Sequence, residues 1–224
     1  IKTQYFSEEI DAEGGLFPLD RQALMKGVHP AALTPQPDKI YAMTLDVAGE
    51  DEGATGLPDD AADASNLENP QRDSTALTIF EVDLSTVDDE LIKKPTYKVI
   101  YRKEWLGIKH TKLYSKLKAL ADLYSVRYLA VDATGVGAGL CSFLSAALPD
   151  KVIPFDFNSR TKSDLCWNFL GIIDSGRFKD HKPGKKPKPE QAEFWRQIDF
   201  CQFEIIPGPK KTVRWGVPDG TRDP

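Results

Sequence analysis

The sequence predicts an α/β fold: a mixed five-stranded sheet flanked by helices, with an additional β-hairpin near the C-terminus. Three observations lead there. Three strand-like stretches come first and are followed by alternating helical and strand-like stretches. Two of the strands end in an aspartate and then a small-residue turn, at Asp46 and at Asp132. Two further strand-like stretches flank Pro207-Gly208-Pro209, whose turn chemistry joins them as a hairpin over 202–216.

Residues 1–36 contain short helical or irregular pieces, including 4–10 and 20–25, separated by Gly14-Gly15 and Pro18. They read as an entry segment packed on the domain that spans 37–224. The first strand is predicted over about 40–47, where alternating apolar and polar residues run to Asp46 and Gly49 ends the regularity. The stretch 50–73 is crowded with acidic residues and has no aromatic one, so it reads as a mobile acidic loop. Strands at about 74–83 and 96–105 should complete an antiparallel meander with the first. A helix is expected over about 110–124, where Leu113, Leu117, Leu120, Ala121 and Tyr124 recur at helical spacing. The strand ending at Asp132 follows, then a helix at about 137–147, a short strand at 151–155 and a helix at about 160–175. A basic, proline-rich loop is expected over 179–188 and a helix over about 189–200.

The composition narrows the class. With 41% hydrophobic residues in 224, the chain can build a substantial core. A net charge of −5 does not by itself announce a nucleic-acid binder, but the charges are segregated, with acids at 50–73 and bases at 179–188 and 210–214. The three cysteines, Cys141, Cys166 and Cys201, form no C-x-x-C pair; they read as small core residues of a protein from a reducing compartment. No apolar run spans a bilayer, so no membrane is expected as a partner. The ends, Ile1 and Pro224, read as those of a piece of a longer protein.

The candidate chemistry rests on Asp46 and Asp132. In open α/β sheets ligands gather at the carboxyl ends of strands. If the two strands are neighbours, the carboxylates face each other and need a cation or a shared proton, and a divalent metal with oxygen ligands resolves the repulsion. The plainer reading is that each aspartate caps a turn. Gly135-Val136-Gly137-Ala138-Gly139 follows a strand and opens a helix, but G-x-G-x-G is not the dinucleotide spacing. None of His29, His110 and His181 forms a metal-ligand or triad pattern. On the hairpin, Lys210, Lys211 and Arg214 beside Trp215 make a strip suited to phosphates.

The strand ending Leu45-Asp46-Val47-Ala48-Gly49, the strand ending Val131-Asp132-Ala133-Thr134-Gly135-Val136-Gly137 and the basic hairpin together resemble the nuclease domain of the large terminase subunit of tailed bacteriophages. Lys2-Thr3-Gln4-Tyr5-Phe6 resembles the junction after the ATPase motor domain in those proteins. The resemblance implies a ribonuclease H-like fold and a metal-dependent endonuclease that cuts concatemeric double-stranded viral DNA during packaging, with little sequence preference. It implies Asp46 and Asp132 as metal-binding catalytic residues for two Mg²⁺ or Mn²⁺ ions, with a third acidic ligand beyond Pro224 rather than at Asp219 or Asp223. The partners it implies are double-stranded DNA, the ATPase motor domain of the same natural chain, the portal and the small terminase subunit, in the cytoplasm of the infected bacterial host. Two alternatives stay open: another ribonuclease H-like nuclease, such as a transposase or junction resolvase, and a non-catalytic DNA-binding or docking module.

Overall fold

The computed structural model describes residues 15–54, 67–69, 73–208 and 211–218. A twisted sheet of six strands forms its centre, in the order β5-β4-β1-β2-β3-β6. The first three strands are β1 (Tyr41–Asp46), β2 (Ser74–Asp83) and β3 (Thr96–Leu106), and both their pairings are antiparallel. Then β4 (Tyr128–Asp132) crosses back to lie parallel to β1, and β5 (Val152–Phe155) lies parallel to β4. The expected meander followed by βα units is therefore the architecture seen.

The sheet has one strand more than the five expected from sequence. Residues Phe178–Lys179 form β6, which pairs in parallel with Tyr97 and Lys98 at the far edge. Two residues are too few to show a period of two, and their partner lies in a distant part of the chain.

Each face of the sheet carries its own core because side chains alternate along the strands. On one face, Met43, Leu45, Leu77, Ile79, Leu129 and Val131 pack against α2 (His110–Leu123) and α3 (Gly137–Ala147), which contribute Leu113, Leu117, Leu140 and Leu144. On the other face, Val99 and Phe178 pack with Cys166, Leu170 and Ile173 of α4 (Ser159–Asp174) and Ile198 of α5 (Pro189–Phe200). Leu16, Phe17 and Met25 join this second core around the short α1 (Leu19–Met25). Arg21 fastens α1 to α4 through two bonds to Asp174, of 2.7 and 3.1 Å. Burial pushes the Cys166 and Cys201 thiols up to about 12 and about 11, so both are inert packing groups at neutral pH.

The hairpin forms as expected, from β7 (Gln202–Ile206) and β8 (Thr212–Gly216). It docks on α4. Val213 enters the second core, its N–H donates to Ser163 Oγ at 3.0 Å, and the Trp215 indole N–H donates to the Lys162 carbonyl at 2.9 Å.

Two loops differ from the sequence expectation. In the acidic stretch, Asp51 and Leu67 are buried. The Asp51 carboxylate accepts the N–H groups of Gly53, Glu68 and Asn69 at 2.9 to 3.1 Å, and so joins the two described ends of that stretch. Residues 55–66 and 70–72 lie outside the described residues. In the basic stretch, Asp180 and His181 are buried, and only 182–188 is an exposed loop. Asp180 is drawn in by Arg102, whose guanidinium it meets in a buried ion pair.

Candidate active site

Asp46 and Asp132 come together through the parallel pairing of β1 with β4. Leu45 stands opposite Val131, so the two aspartates follow at the next positions of neighbouring strands. Neighbouring strands lie about 4.8 Å apart, and both side chains point to the same face. The neighbourhood that the sequence made conditional is thus present.

The turn after β4 is built to hold Asp132. Its Oδ1 accepts the Thr134 N–H at 2.8 Å, which leaves Oδ2 free of that turn. Gly135 has φ +53, a left-handed value that glycine adopts without strain. A Cβ on Gly137 would lie 2.2 Å from the Asp132 carbonyl oxygen, so only glycine lets α3 begin this close to the strand end. Backbone geometry thus accounts for Gly135 and Gly137. Across the gap, the Ala133 N–H donates to the Phe155 carbonyl at 3.0 Å, and the Phe157 N–H donates to Thr134 Oγ1 at 2.8 Å. The loop after β5 is therefore tied to the loop after β4. A hydrogen bond of 3.0 Å between His110 Nε2 and the Ala48 carbonyl braces the chain after β1.

The electrostatics of Asp46 are those of a crowded carboxylate. Its pKa is raised, first by the desolvation that the surrounding protein imposes and then by the negative charges of Asp132 and Asp73; Lys162 acts in the opposite direction. Solvent still reaches Asp46 at the end of its strand. Lys162 offsets this only in part, and a metal ion would relieve what remains.

Asp73 and Lys162 were not singled out from sequence. Asp73 was one member of an acidic run, yet β2 runs antiparallel to β1 with Ala76 opposite Asp46, which carries Asp73 past the carboxyl end of β1. That register was the available signal. Lys162 had none, because its position depends on how α4 docks.

Among the described residues, no group of three or more His, Cys, Asp or Glu side chains is arranged to hold a metal ion. Asp219 and Asp223 lie outside the described residues, as does Lys210. Of the hairpin cations, Lys211 and Arg214 are exposed beside α4. Arg214 reaches Glu204 across the hairpin at 3.6 Å, but both side chains are largely in solvent, so the pair restrains it little.

A ribonuclease H-like sheet with acidic residues at the carboxyl ends of its central strands is the class that these observations define. The family model of the terminase RNaseH-like domain matches residues 73–198, more than half of the chain. The chain belongs to that family. The matched span includes Asp132 and Lys162 but not Asp46 or the hairpin.

Solved structures agree in fold. The large terminase nuclease from thermophilic phage G20c with bound magnesium superposes with a TM-score of 0.60 at 13% identity, over 93% of this chain and 91% of that one. The large terminase nuclease domain of Thermus phage P74-26 gives 0.55 at 12% identity, over 90% and 84% of the two chains. The nuclease domain of the large terminase subunit gp2 of bacterial virus Sf6 gives 0.52 at 9%, over 90% and 87%. By sequence, a probable terminase ATPase subunit of Haemophilus phage HP1 is 22% identical over 81 residues, which cover 36% of this chain and 13% of that protein.

Proposed function

We propose that this chain is the nuclease domain of a phage large terminase, a divalent-metal-dependent endonuclease that cuts double-stranded DNA during genome packaging. The observation that carries the reading is the placement of Asp46 and Asp132 side by side at the open end of the sheet, in a chain of the terminase RNaseH-like family. Crystal structures of the G20c nuclease contain magnesium, cobalt or zinc, which supports divalent-metal use here.

The donor set fits hard cations. Carboxylate oxygens suit Mg²⁺ and Mn²⁺, and a desolvated carboxylate beside a second one is short of positive charge. Asp46 and Asp132 would hold the metal, and a bound pair of ions would supply an activated water and stabilise the leaving 3′ oxygen. The protein does the rest. The Thr134 N–H fixes the orientation of Asp132. Asp46 stays at the edge where solvent and substrate enter. Lys210, Lys211 and Arg214 meet backbone phosphates without reading bases, which fits cleavage with little sequence preference. By the same family reading, the domain acts on viral DNA in the bacterial cytoplasm beside the ATPase motor, the portal and the small terminase subunit. Among the described residues no helix is long and apolar enough to cross a membrane.

The test is cleavage of plasmid DNA in Mn²⁺ by the wild type, Asp46→Asn and Asp132→Asn. The wild type is expected to nick and linearise the plasmid, and both variants to lose that activity while keeping the wild-type circular dichroism. Near-normal cutting by a folded variant would leave its aspartate as a turn cap only, the reading that the Thr134 bond to Asp132 otherwise favours.

A further inference from the structure

Lys162 occupies a position that the carboxylate pair alone does not explain. It lies in the first turn of α4, and the start of that helix is firmly set. The Asn158 side chain accepts the N–H groups of Arg160 and Thr161 at 3.0 Å, and the Thr161 hydroxyl donates to the Asp156 carbonyl at 2.6 Å. The same loop is bound to the metal-site side through Phe157, Thr134 and Asp132, in two consecutive bonds of 2.8 Å. The Lys162 ammonium lies 5.8 Å from the centre of the Phe157 ring, and that ring is seated edge-on against Phe155. The lysine therefore leans over the loop that joins α4 to the strand ends, and its charge is felt at Asp46.

Among the described residues, Lys162 has no carboxylate within ion-pair distance, although its charge reaches Asp46. Arg160, two residues earlier, at least approaches Asp164 at 3.8 Å. An ammonium with no carboxylate partner beside a metal site opposes the entry of cations and favours the arrival of an anion. The backbone of DNA is that anion.

We infer that Lys162 is a phosphate-binding residue that holds the DNA backbone against Asp46 and Asp132. The inference rests on the nuclease reading and adds to it a contact inside the site. Lys162 also links the site to the hairpin. Its carbonyl accepts the Trp215 indole N–H, and Ser163 accepts the Val213 N–H, so β8 is held on the same helical turn. A strand of DNA that runs from the hairpin cations to the aspartates passes Lys162.

The experiment compares the wild-type chain with Lys162→Gln, Lys162→Arg and Asp46→Asn in three measurements. The first is the salt dependence of duplex binding in Ca²⁺. Loss of one phosphate contact should flatten the log–log slope by about 0.9 in Lys162→Gln, and Lys162→Arg should restore it. The second is plasmid cutting in Mn²⁺, expected to fall about tenfold or more in Lys162→Gln and to recover in Lys162→Arg. The third is Mn²⁺ affinity without DNA, expected to be unchanged or tighter in Lys162→Gln because a repelling charge has gone. An unchanged salt slope with unchanged cutting overturns the inference while the nuclease reading stands. Loss of Mn²⁺ binding by folded Lys162→Gln also overturns it, since the lysine would then support the carboxylates rather than phosphate. If the wild type does not cut, or Asp46→Asn cuts as well, the nuclease reading fails, and the salt slope still decides whether Lys162 meets phosphate.

Discussion

Two aspartates sit near strand ends of the same sheet and live in opposite surroundings. Asp180, just past β6, is 1% exposed and fully partnered. Arg102 forms an ion pair with it, the Gln191 amide donates at 2.9 Å and the Trp195 indole N–H at 2.8 Å. Arg102 in turn lies 3.9 Å from the centre of the Phe194 ring. The Gln191 amide nitrogen also donates to the His181 carbonyl at 2.8 Å, while its Oε1 is buried with no partner among the described residues. Asp46, at the end of β1, is crowded by Asp132 and Asp73 instead, and its pKa is raised. A carboxylate matched by a guanidinium and two N–H donors is part of the framework. One left among like charges has an unmet need for a cation, and that is the mark of a site rather than a scaffold.

The contrast makes opposite predictions for removing each charge. Asp180→Ala should destabilise the protein by about 3–5 kcal/mol, because it leaves the Arg102 guanidinium buried without its partner. The pKa of Arg102 is already lowered by burial, which Asp180 and Glu104 oppose. The double variant Asp180→Leu with Arg102→Met should recover much of that loss, since neither charge then remains. Asp46→Asn should cost no stability. Urea unfolding of the four proteins checks all of this, and a loss in Asp46→Asn as large as that in Asp180→Ala would erase the distinction.

A smaller effect is expected where the site presses on the scaffold. Gly137→Ala puts a methyl group 2.2 Å from the Asp132 carbonyl oxygen and 3.2 Å from the Val47 side chain. The first neighbour is backbone, so the start of α3 or the end of β4 must move. A loss of about 1–3 kcal/mol is expected. Cutting should fall further than stability does, because Asp132 moves with its carbonyl. Unfolding measured beside plasmid cleavage separates the two, and Gly139→Ala is the control, since its Cβ would meet open space.

What was legible in the sequence follows the range of the forces involved. The helices at 110–123 and 137–147 and the strands ending at Asp46 and Asp132 were readable because apolar spacing is a local signal. The pairing of those strands was readable as a condition, met once β4 took its place beside β1. The two-residue β6 and the burial of Asp180 were not. The partner of Asp180, Arg102, lies 78 residues away, and the lysines around it made the stretch look uniformly solvated. Lys162 reads as one more lysine in a helix, and its influence on Asp46 depends on how α4 docks.

On the open side of the comparison, the hairpin presents Lys211 and Arg214 to solvent. Neutralising Lys210, Lys211 and Arg214 together should weaken duplex binding uniformly across sequences. If each meets one phosphate, the log–log salt slope should flatten by about 2.7. Titration of duplexes of different sequence between low and moderate salt makes the measurement. An unchanged slope would detach the hairpin from the DNA interface and leave the aspartate edge without its track of positive charge.

The smallest effect is the pH dependence of stability at Asp46. Its folded pKa lies above the ordinary carboxylate value of 3.8, so the folded state holds this proton more tightly than the unfolded chain does. Well below pH 3.8 both states are protonated and Asp46 imposes no penalty. As pH rises from there to the folded pKa, the unfolded chain ionises first and stability is lost; above the folded pKa the loss is complete. Asp46→Asn removes this dependence. In metal-free buffer the variant should equal the wild type at low pH and exceed it at neutral pH, by a margin that solvent screening at this exposed strand end keeps small. Added Mn²⁺ should reverse the order at neutral pH, because only the wild type keeps both carboxylates. Urea midpoints across pH 3 to 8, with chelator and with Mn²⁺, follow the crossing. A wild type more stable than the variant in chelator at neutral pH would mean that Asp46 is already satisfied, as Asp180 is, and the two ends of the sheet would no longer differ in kind.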